Sequence, residues 1–173
     1  MKRGTILLLI LTTMATVAFA QTKNPVTAVL REILPRQQKN LVAAVEEMPT
    51  DKFSYKPTPP QMAFGRLVAH MIESNFELCA KVGDMAPPPS STPKETDGKD
   101  KLLAALKNSF EFCNAAVAKA DDSKLGDTVD LYGGKQGPRA FVYFALTNDW
   151  ADHYSAAAMY LRLNGLLPPT AKK

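Results

Sequence analysis

Proline- and glycine-rich connectors divide this chain into four stretches of about twenty residues, each with apolar residues at helical spacing. The predicted helices span residues 26–48, 62–82, 99–119 and 138–164. The connector 50–60 reads TDKFSYKPTPP, and the connector 84–98 reads DMAPPPSSTPKETDG. Proline removes a backbone donor and restricts the residue before it, so a helix cannot run through these segments. Four helices without strong strand signals predict one all-α domain folded as a four-helix bundle.

Other prolines and glycines refine this helical pattern. Pro35 lies inside the first predicted helix, so we expect either a kink there or a helix that begins nearer to it. The segment 121–137 is rich in aspartate and glycine and predicts a loop, with a short strand pair around Thr128 to Leu131. Gly165, followed by two prolines, predicts the end of the last helix.

The first twenty residues have the pattern of a signal peptide. Lys2 and Arg3 form a charged start, an apolar segment follows, and Ala18-Phe19-Ala20 matches the small-x-small cleavage pattern. We expect cleavage after Ala20, which divides the chain into a signal peptide at 1–20 and a domain at 21–173. An uncleaved N-terminal anchor is the alternative. The signal predicts export to the periplasm or the medium of a bacterium, with no membrane span after cleavage.

The charge of the chain does not favour a nucleic acid partner. Its 21 lysines and arginines face 17 acidic residues, a net charge of +4. Loss of Lys2 and Arg3 with the signal peptide leaves 19 basic side chains against the 17 acidic ones, a net +2. The basic residues are scattered rather than gathered in a stripe with aromatics, which excludes the usual nucleic-acid-binding pattern.

The two cysteines, Cys79 and Cys113, lie in the second and third predicted helices. Export would place them in an oxidising compartment, where an even number of cysteines favours a disulfide. Two buried thiols that act as small apolar side chains are the alternative. A Cys-x-x-Cys redox or zinc pattern is absent from the sequence.

Asp149, His153 and His70 are the candidate site residues. Asp149 and His153 are four residues apart, so they lie on one face of the last helix. His70 lies at helical spacing with apolar residues of the second helix, which places it at or near the bundle interior. Bundle cores build metal sites from facing helices, and two imidazoles with one carboxylate suit zinc, nickel or ferrous iron. Trp150 is turned by about 100° from Asp149 around the helix, which predicts a position at the bundle edge.

Two other interpretations of the same three residues remain open. Polar side chains near a core can satisfy one another by hydrogen bonds without a metal, and an aspartate–histidine pair also occurs on solvated helix faces. Neither a G-x-S-x-G nucleophile pattern nor a P-loop is present in the sequence.

Three stretches of the chain resemble the DinB-like proteins of the DinB/YfiT superfamily. They are MPTDKFSYKPTPPQMAFGRLVAHMIESNFELC at 48–79, HYSAAAMYLRLNGLLPP at 153–169 and, more weakly, KNSFEFCNAAV at 107–117. The resemblance implies a four-helix bundle with up-down-down-up topology and a metal site of three histidines. His70 and His153 match the first and last of these, while Asp149 stands where the middle histidine would lie.

The resemblance supports two hypotheses about function. In the first, His70, Asp149 and His153 bind a divalent metal, and the protein is a metal-dependent hydrolase or a thiol-type transferase. In the second, the metal site is degenerate, and the exported bundle binds a small molecule or a protein partner without catalysis. Whether the protein is an enzyme stays open at this point, and so does a homodimer.

Overall fold

The computed structural model describes residues 23–88, 93, 94 and 96–172. The predicted signal peptide at 1–20 lies outside the described residues. The four helices are α1 Pro25–Glu47, α2 Phe64–Gly83, α3 Lys99–Lys119 and α4 Arg139–Leu163. Their bounds confirm the helical pattern of the sequence to within about two residues, the usual uncertainty of helix ends. In the part of the chain that the structure describes, no helix is both long and apolar enough to span a membrane.

The helices pack as a four-membered bundle around one apolar core. Both α1 and α2 pack against α3 and α4, so α1 and α2 lie on opposite sides of the bundle. Pro35 lies within α1, and the expectation of a helix that begins nearer to it is wrong. Its ring is exposed, so the missing amide faces solvent rather than the core. The up-down-down-up order of helix directions stays a prediction.

A small hairpin connects α3 to α4. Strand β1 (Thr128–Asp130) pairs antiparallel with β2 (Gln136–Pro138), and Thr128 lies opposite Pro138. The turn between the strands contains Gly133, which has a φ of 67°. Glycine adopts this left-handed conformation without a steric cost, which explains its place in the turn. The hairpin confirms the predicted strand pair.

A disulfide between Cys79 and Cys113 links α2 to α3. Both cysteines are fully buried, and the alternative of two free thiols is wrong for this structure. The two helices also approach closely one turn further on. A Cβ atom on Gly83 would lie 2.6 Å from the Cα atom of Ala116, so only glycine fits there.

A buried polar network joins α2, α3 and α4 in the core. The indole N–H of Trp150 donates to Oδ1 of Asn75 at 2.7 Å, and the amide of Asn75 donates to the Ser109 hydroxyl at 2.9 Å. The hydroxyl in turn donates to the backbone carbonyl of Leu106 at 2.8 Å. Trp150 is 1 % exposed, so its predicted place at the bundle edge is wrong. Helix α4 packs against both α1 and α2, and Trp150 faces the interior, where its ring centroid lies 6.1 Å from that of Phe110 in α3.

The N-terminus of α1 is capped by Asp122, which lies just after the end of α3. The Asp122 carboxylate accepts hydrogen bonds from the backbone N–H groups of Val26 and Thr27, at 2.8 and 2.9 Å. The Thr27 hydroxyl also donates to it, at 2.5 Å. In return, the Asn24 side chain accepts from the backbone N–H of Asp122. Because Pro25 has no N–H, the Asp122 carboxylate satisfies the first two free donors of the helix.

Replacing Asp122 with alanine is expected to lower the free energy of unfolding at neutral pH by about 1–2 kcal/mol, the usual cost of losing an N-cap. Partial burial raises the pKa of Asp122, but the hydrogen bonds from Thr27 and Val26 outweigh it and hold this pKa below its usual value. A carboxyl whose pKa is lowered on folding stabilises the fold above its unfolded-state pKa. The contribution of Asp122 to the free energy of unfolding is therefore lost as the pH falls through its folded-state pKa.

Urea unfolding of the wild type and Asp122→Ala at a series of pH values measures this effect. The difference between the two proteins should be constant near neutrality and should shrink below about pH 4. The Asp51→Asn variant is the control, because that carboxylate is 71 % exposed and, among the described residues, forms an ion pair with its neighbour Lys52 alone. A difference that persists unchanged at low pH would show that the Asp122 carboxylate is not the stabilising group.

Candidate functional site

The two histidines of the chain meet between α2 and α4. His70 is partly exposed on α2, and its side chain keeps 40 % of its surface. His153 on α4 is 6 % exposed. Their ring centroids are 5.1 Å apart and the rings are nearly perpendicular, at 87°. Because α2 and α4 are neighbours in the bundle, residues 83 positions apart in the sequence form one histidine pair.

Asp149 lies beside the buried histidine. Its Oδ2 atom is 3.1 Å from Nδ1 of His153, one helical turn away. The two atoms are within ion-pair distance, but Oδ2 is buried and has no hydrogen-bond partner among the described residues. A buried carboxylate oxygen without a donor destabilises the fold, so packing alone gives no reason for Asp149 to lie here. The structure therefore brings Asp149 and His153 together, as the four-residue spacing predicts.

Arg66 and Glu73 complete the α2 side of the site. Oε2 of Glu73 is 3.8 Å from Nδ1 of His70. The same carboxylate accepts three hydrogen bonds of 3.1 Å from the Arg66 guanidinium, which neutralises its charge. The sequence analysis missed both residues. The spacing of Glu73 could have indicated it, since a residue three positions after His70 lies on the same side of the helix.

The donor types of His70, Asp149 and His153 suit a divalent metal. Within the described ranges, no three histidine, cysteine, aspartate or glutamate side chains are grouped so that they could hold one ion. Asp149 contacts His153 on its Nδ1 side, and His70 approaches the same ring edge-on. The predicted three-ligand set is therefore not assembled as the side chains stand, and it stays a prediction.

A pocket of about 350 Å³ opens beside the histidine pair. Its wall comes from α2, α4 and the connector that precedes α2. The lining residues are Pro60, Gln61, Met62, Leu67, His70, Asp152, His153, Ala156, Met159 and Tyr160. Both histidines face it, whereas Asp149 is not among the lining residues. The pocket thus combines a mostly apolar wall with two imidazoles and one carboxylate, the usual make-up of a small-molecule site.

Tyr160 fixes the connector side of this pocket. Its hydroxyl donates to the backbone carbonyl of Met62 at 2.7 Å. Its ring packs edge-on against Tyr55 and at a tilt against Phe64. Burial, with a smaller effect of Tyr55, raises the pKa of Tyr160, so the phenol stays protonated and remains a donor at neutral pH. The last helix therefore holds the end of the connector against the site.

A second pocket, of about 340 Å³, lies between α1 and α4. Its lining is almost entirely apolar, from residues such as Val29, Ile33 and Phe144, and it shares no residue with the histidine pocket. It holds none of the predicted site residues. The two histidines therefore lie at the histidine pocket and not at this apolar one.

The chain is a small four-helix bundle with a histidine pair between its second and fourth helices. The sequence profile of the DinB superfamily matches residues 33–155, which is most of the chain. The protein belongs to the DinB superfamily, as its resemblance predicts. No curated protein sequence matches it.

Solved structures show the same fold at low sequence identity. A DinB-like protein from Bacillus subtilis is 17 % identical with a TM-score of 0.67, and the alignment covers 84 % of this chain and 99 % of that one. A DinB-like protein from Bacillus cereus is 14 % identical with a TM-score of 0.63, over 81 % and 93 % of the two chains. A conserved protein from Enterococcus faecalis is 15 % identical with a TM-score of 0.62, over 83 % and 98 %. At these identities the likeness concerns the fold alone.

Proposed function

We propose that this protein is an exported bundle that binds a small molecule in the histidine pocket. The single observation that carries the proposal is the pocket itself, which places His70 and His153 on the wall of a cavity of about 350 Å³. The signal-peptide pattern supports the export, and the cysteine pair is compatible with an oxidising compartment.

The composition of the pocket supports a ligand with both apolar and polar parts. Met62 and Met159 are 45 % and 49 % exposed, which leaves two large flexible apolar side chains at the site. Methionine adapts its shape to different ligands. The histidines offer hydrogen-bond donors or acceptors, since a neutral imidazole has one of each. A molecule of about ten non-hydrogen atoms fits a cavity at the lower end of the usual range.

The histidines provide a direct readout of binding, because the chain contains only two of them. Proton–nitrogen correlation spectra of the imidazoles are recorded during titration with three compounds of similar size: phenethylamine, phenethyl alcohol and phenylacetate. At least one of the three is expected to shift the signals of both His70 and His153. If none of them moves either histidine signal, the proposed function is wrong.

Two alanines of α4 provide a matched pair of variants for this experiment. Ala156 lines the pocket, and Ala156→Phe is expected to fill it and to abolish the shifts. Ala151 is exposed on the same helix and does not line the pocket, so Ala151→Phe should bind as the wild type does. Equal binding by both variants would place the ligand elsewhere on the bundle and contradict the proposal.

A divalent metal bound by His70, Asp149 and His153 is the second candidate. The observation that favours it is the buried Oδ2 atom of Asp149, which lies 3.1 Å from Nδ1 of His153 and has no hydrogen-bond partner in the described part of the chain. A cation would satisfy such an oxygen, because buried charges in proteins are paired or coordinate metals. Such an ion would act as a Lewis acid, which is the chemistry of a hydrolase or transferase.

Zinc and nickel chlorides test the metal directly. Elemental analysis of protein from metal-replete medium should find about one metal ion per chain, and added zinc should move both histidine signals and raise the melting temperature. His153→Ala should lose the metal and the thermal effect. Protein that is purified without metal, and whose histidine signals stay unchanged after zinc or nickel is added, would contradict this candidate.

A further inference from the structure

We infer that the ligand of the histidine pocket is an organic cation, above all an amine attached to an apolar body, and that Asp152 is the residue that selects it. This inference rests on the proposed function, because it names the chemical class of the molecule that enters the pocket.

The charges around the pocket carry the inference. Asp152 is the one acidic or basic side chain, histidine aside, among the lining residues. It forms no salt bridge within the described parts of the chain, and it is exposed toward the pocket side of α4. Asp149, one helical turn earlier, contributes a second carboxylate close to His153. Of these two carboxylates only Asp152 lies on the pocket wall, and among the described residues neither forms an ion pair with a lysine or an arginine.

The other charged groups near the site do not offset this imbalance. On α2, the Arg66 guanidinium forms three hydrogen bonds with Glu73, so the pair is close to neutral. Lys56 of the connector lines a different cavity, which shares no residue with the histidine pocket. The potential in the histidine pocket is consequently negative, which attracts cations and repels carboxylates and phosphates.

The remaining wall of the pocket determines the rest of the ligand. Five lining residues are apolar: Pro60, Met62, Leu67, Ala156 and Met159. His153 is nine-tenths buried behind them, so a ligand that reaches it must lose its water. Burial of the apolar part of the ligand provides most of the binding free energy, and the ion pair between its amine and Asp152 orients the ligand in the pocket. A small hydrated inorganic cation would leave this apolar wall without a partner.

The same three compounds separate the cation from its neutral and anionic analogues. Phenethylamine carries a positive charge, phenethyl alcohol none and phenylacetate a negative one, while the phenyl ring is common to all. The titrations are run at about pH 8, above the usual titration range of histidine. We expect phenethylamine to bind about tenfold more tightly than the alcohol, and phenylacetate to bind more weakly than either.

Asp152→Asn is expected to reduce the preference for the amine over the alcohol to about twofold or less, with little change in the affinity for the alcohol. Asp130→Asn removes the same charge from the hairpin, outside the pocket, and should keep the preference. High salt should weaken amine binding in the wild type, because the Asp152 carboxylate is exposed to solvent.

The outcomes distinguish this inference from the proposed function. If the alcohol binds as tightly as the amine, or if Asp152→Asn keeps the preference, the pocket binds a small molecule but the inference is wrong. If phenylacetate binds most tightly, the charge argument is reversed and the inference is also wrong. If none of the three compounds binds, the proposed function itself fails.

Discussion

Removal of the disulfide by the double substitution Cys79→Ala and Cys113→Ala is expected to lower the free energy of unfolding by about 3–4 kcal/mol. The bridge closes a loop of 34 residues, and the chain-entropy argument gives this value for a loop of that length. The loop includes the proline-rich connector between α2 and α3. Without the bridge, the unfolded chain gains the freedom of that whole segment, whereas the folded bundle keeps its helices.

Urea unfolding followed by circular dichroism measures this loss. The first control is the wild-type protein, unfolded in urea so that the buried bridge becomes accessible and then treated with a reductant. The unfolding midpoint of this reduced protein should match that of the double variant. A second control is Ala115→Ser, which adds a polar atom to the exposed side of α3 and should change stability by less than about 0.5 kcal/mol. A loss below about 1 kcal/mol in the double variant would show that the loop is already restrained when the chain is unfolded.

The pattern of apolar residues and prolines was sufficient to predict the four helices. Lys99 and Lys119 bound α3 as the periodicity predicts, and the strand pair near Thr128 follows from the turn residues beside it. Both features are local, because the helical period and the glycine turn depend on neighbouring residues. The sequence allowed two states for the cysteines, a disulfide with one possible pairing or two buried thiols, and the structure has the disulfide.

The sequence could not predict which side of α4 faces the core. Trp150 was expected at the edge of the bundle because it is turned away from Asp149. In the structure it is buried against Asn75, since α4 has two neighbouring helices and buries a wide part of its circumference. Helical spacing gives the angles between side chains, but the choice of inward face depends on contacts that form only when the bundle assembles.

The candidate site could be predicted only in part from the sequence. The spacing of Asp149 and His153 sets their contact, and the apolar neighbours of His70 place it near the interior. The sequence did not show that Glu73 is neutralised by Arg66 or that Asp152 lines the pocket. These facts depend on side-chain directions across three chain segments, which no single helical pattern contains.

Asn75→Ala is expected to destabilise the bundle by about 2–4 kcal/mol, because it removes the partner of two buried polar groups. The indole N–H of Trp150 would lose its acceptor and Ser109 would lose its donor, both at positions almost without solvent. A buried donor that is left unsatisfied costs more than the hydrogen bond contributes when it is present. The small side chain also leaves a cavity among three helices.

Trp150 is the one tryptophan of the chain, so its fluorescence follows unfolding of this part of the core directly. Asn114→Ala is the matched control, because Asn114 also donates a side-chain amide hydrogen bond but lies on the exposed side of α3. Its effect should stay within about 0.5 kcal/mol.

The double variant Asn75→Ala with Trp150→Phe, measured by circular dichroism, separates the hydrogen bond from the cavity. Phenylalanine has no N–H to leave unsatisfied, so Asn75→Ala should cost about 1–2 kcal/mol less in that background than in the wild type. Equal costs in the two backgrounds would show that the network does not stabilise the core through the indole. The loss would then come from packing alone.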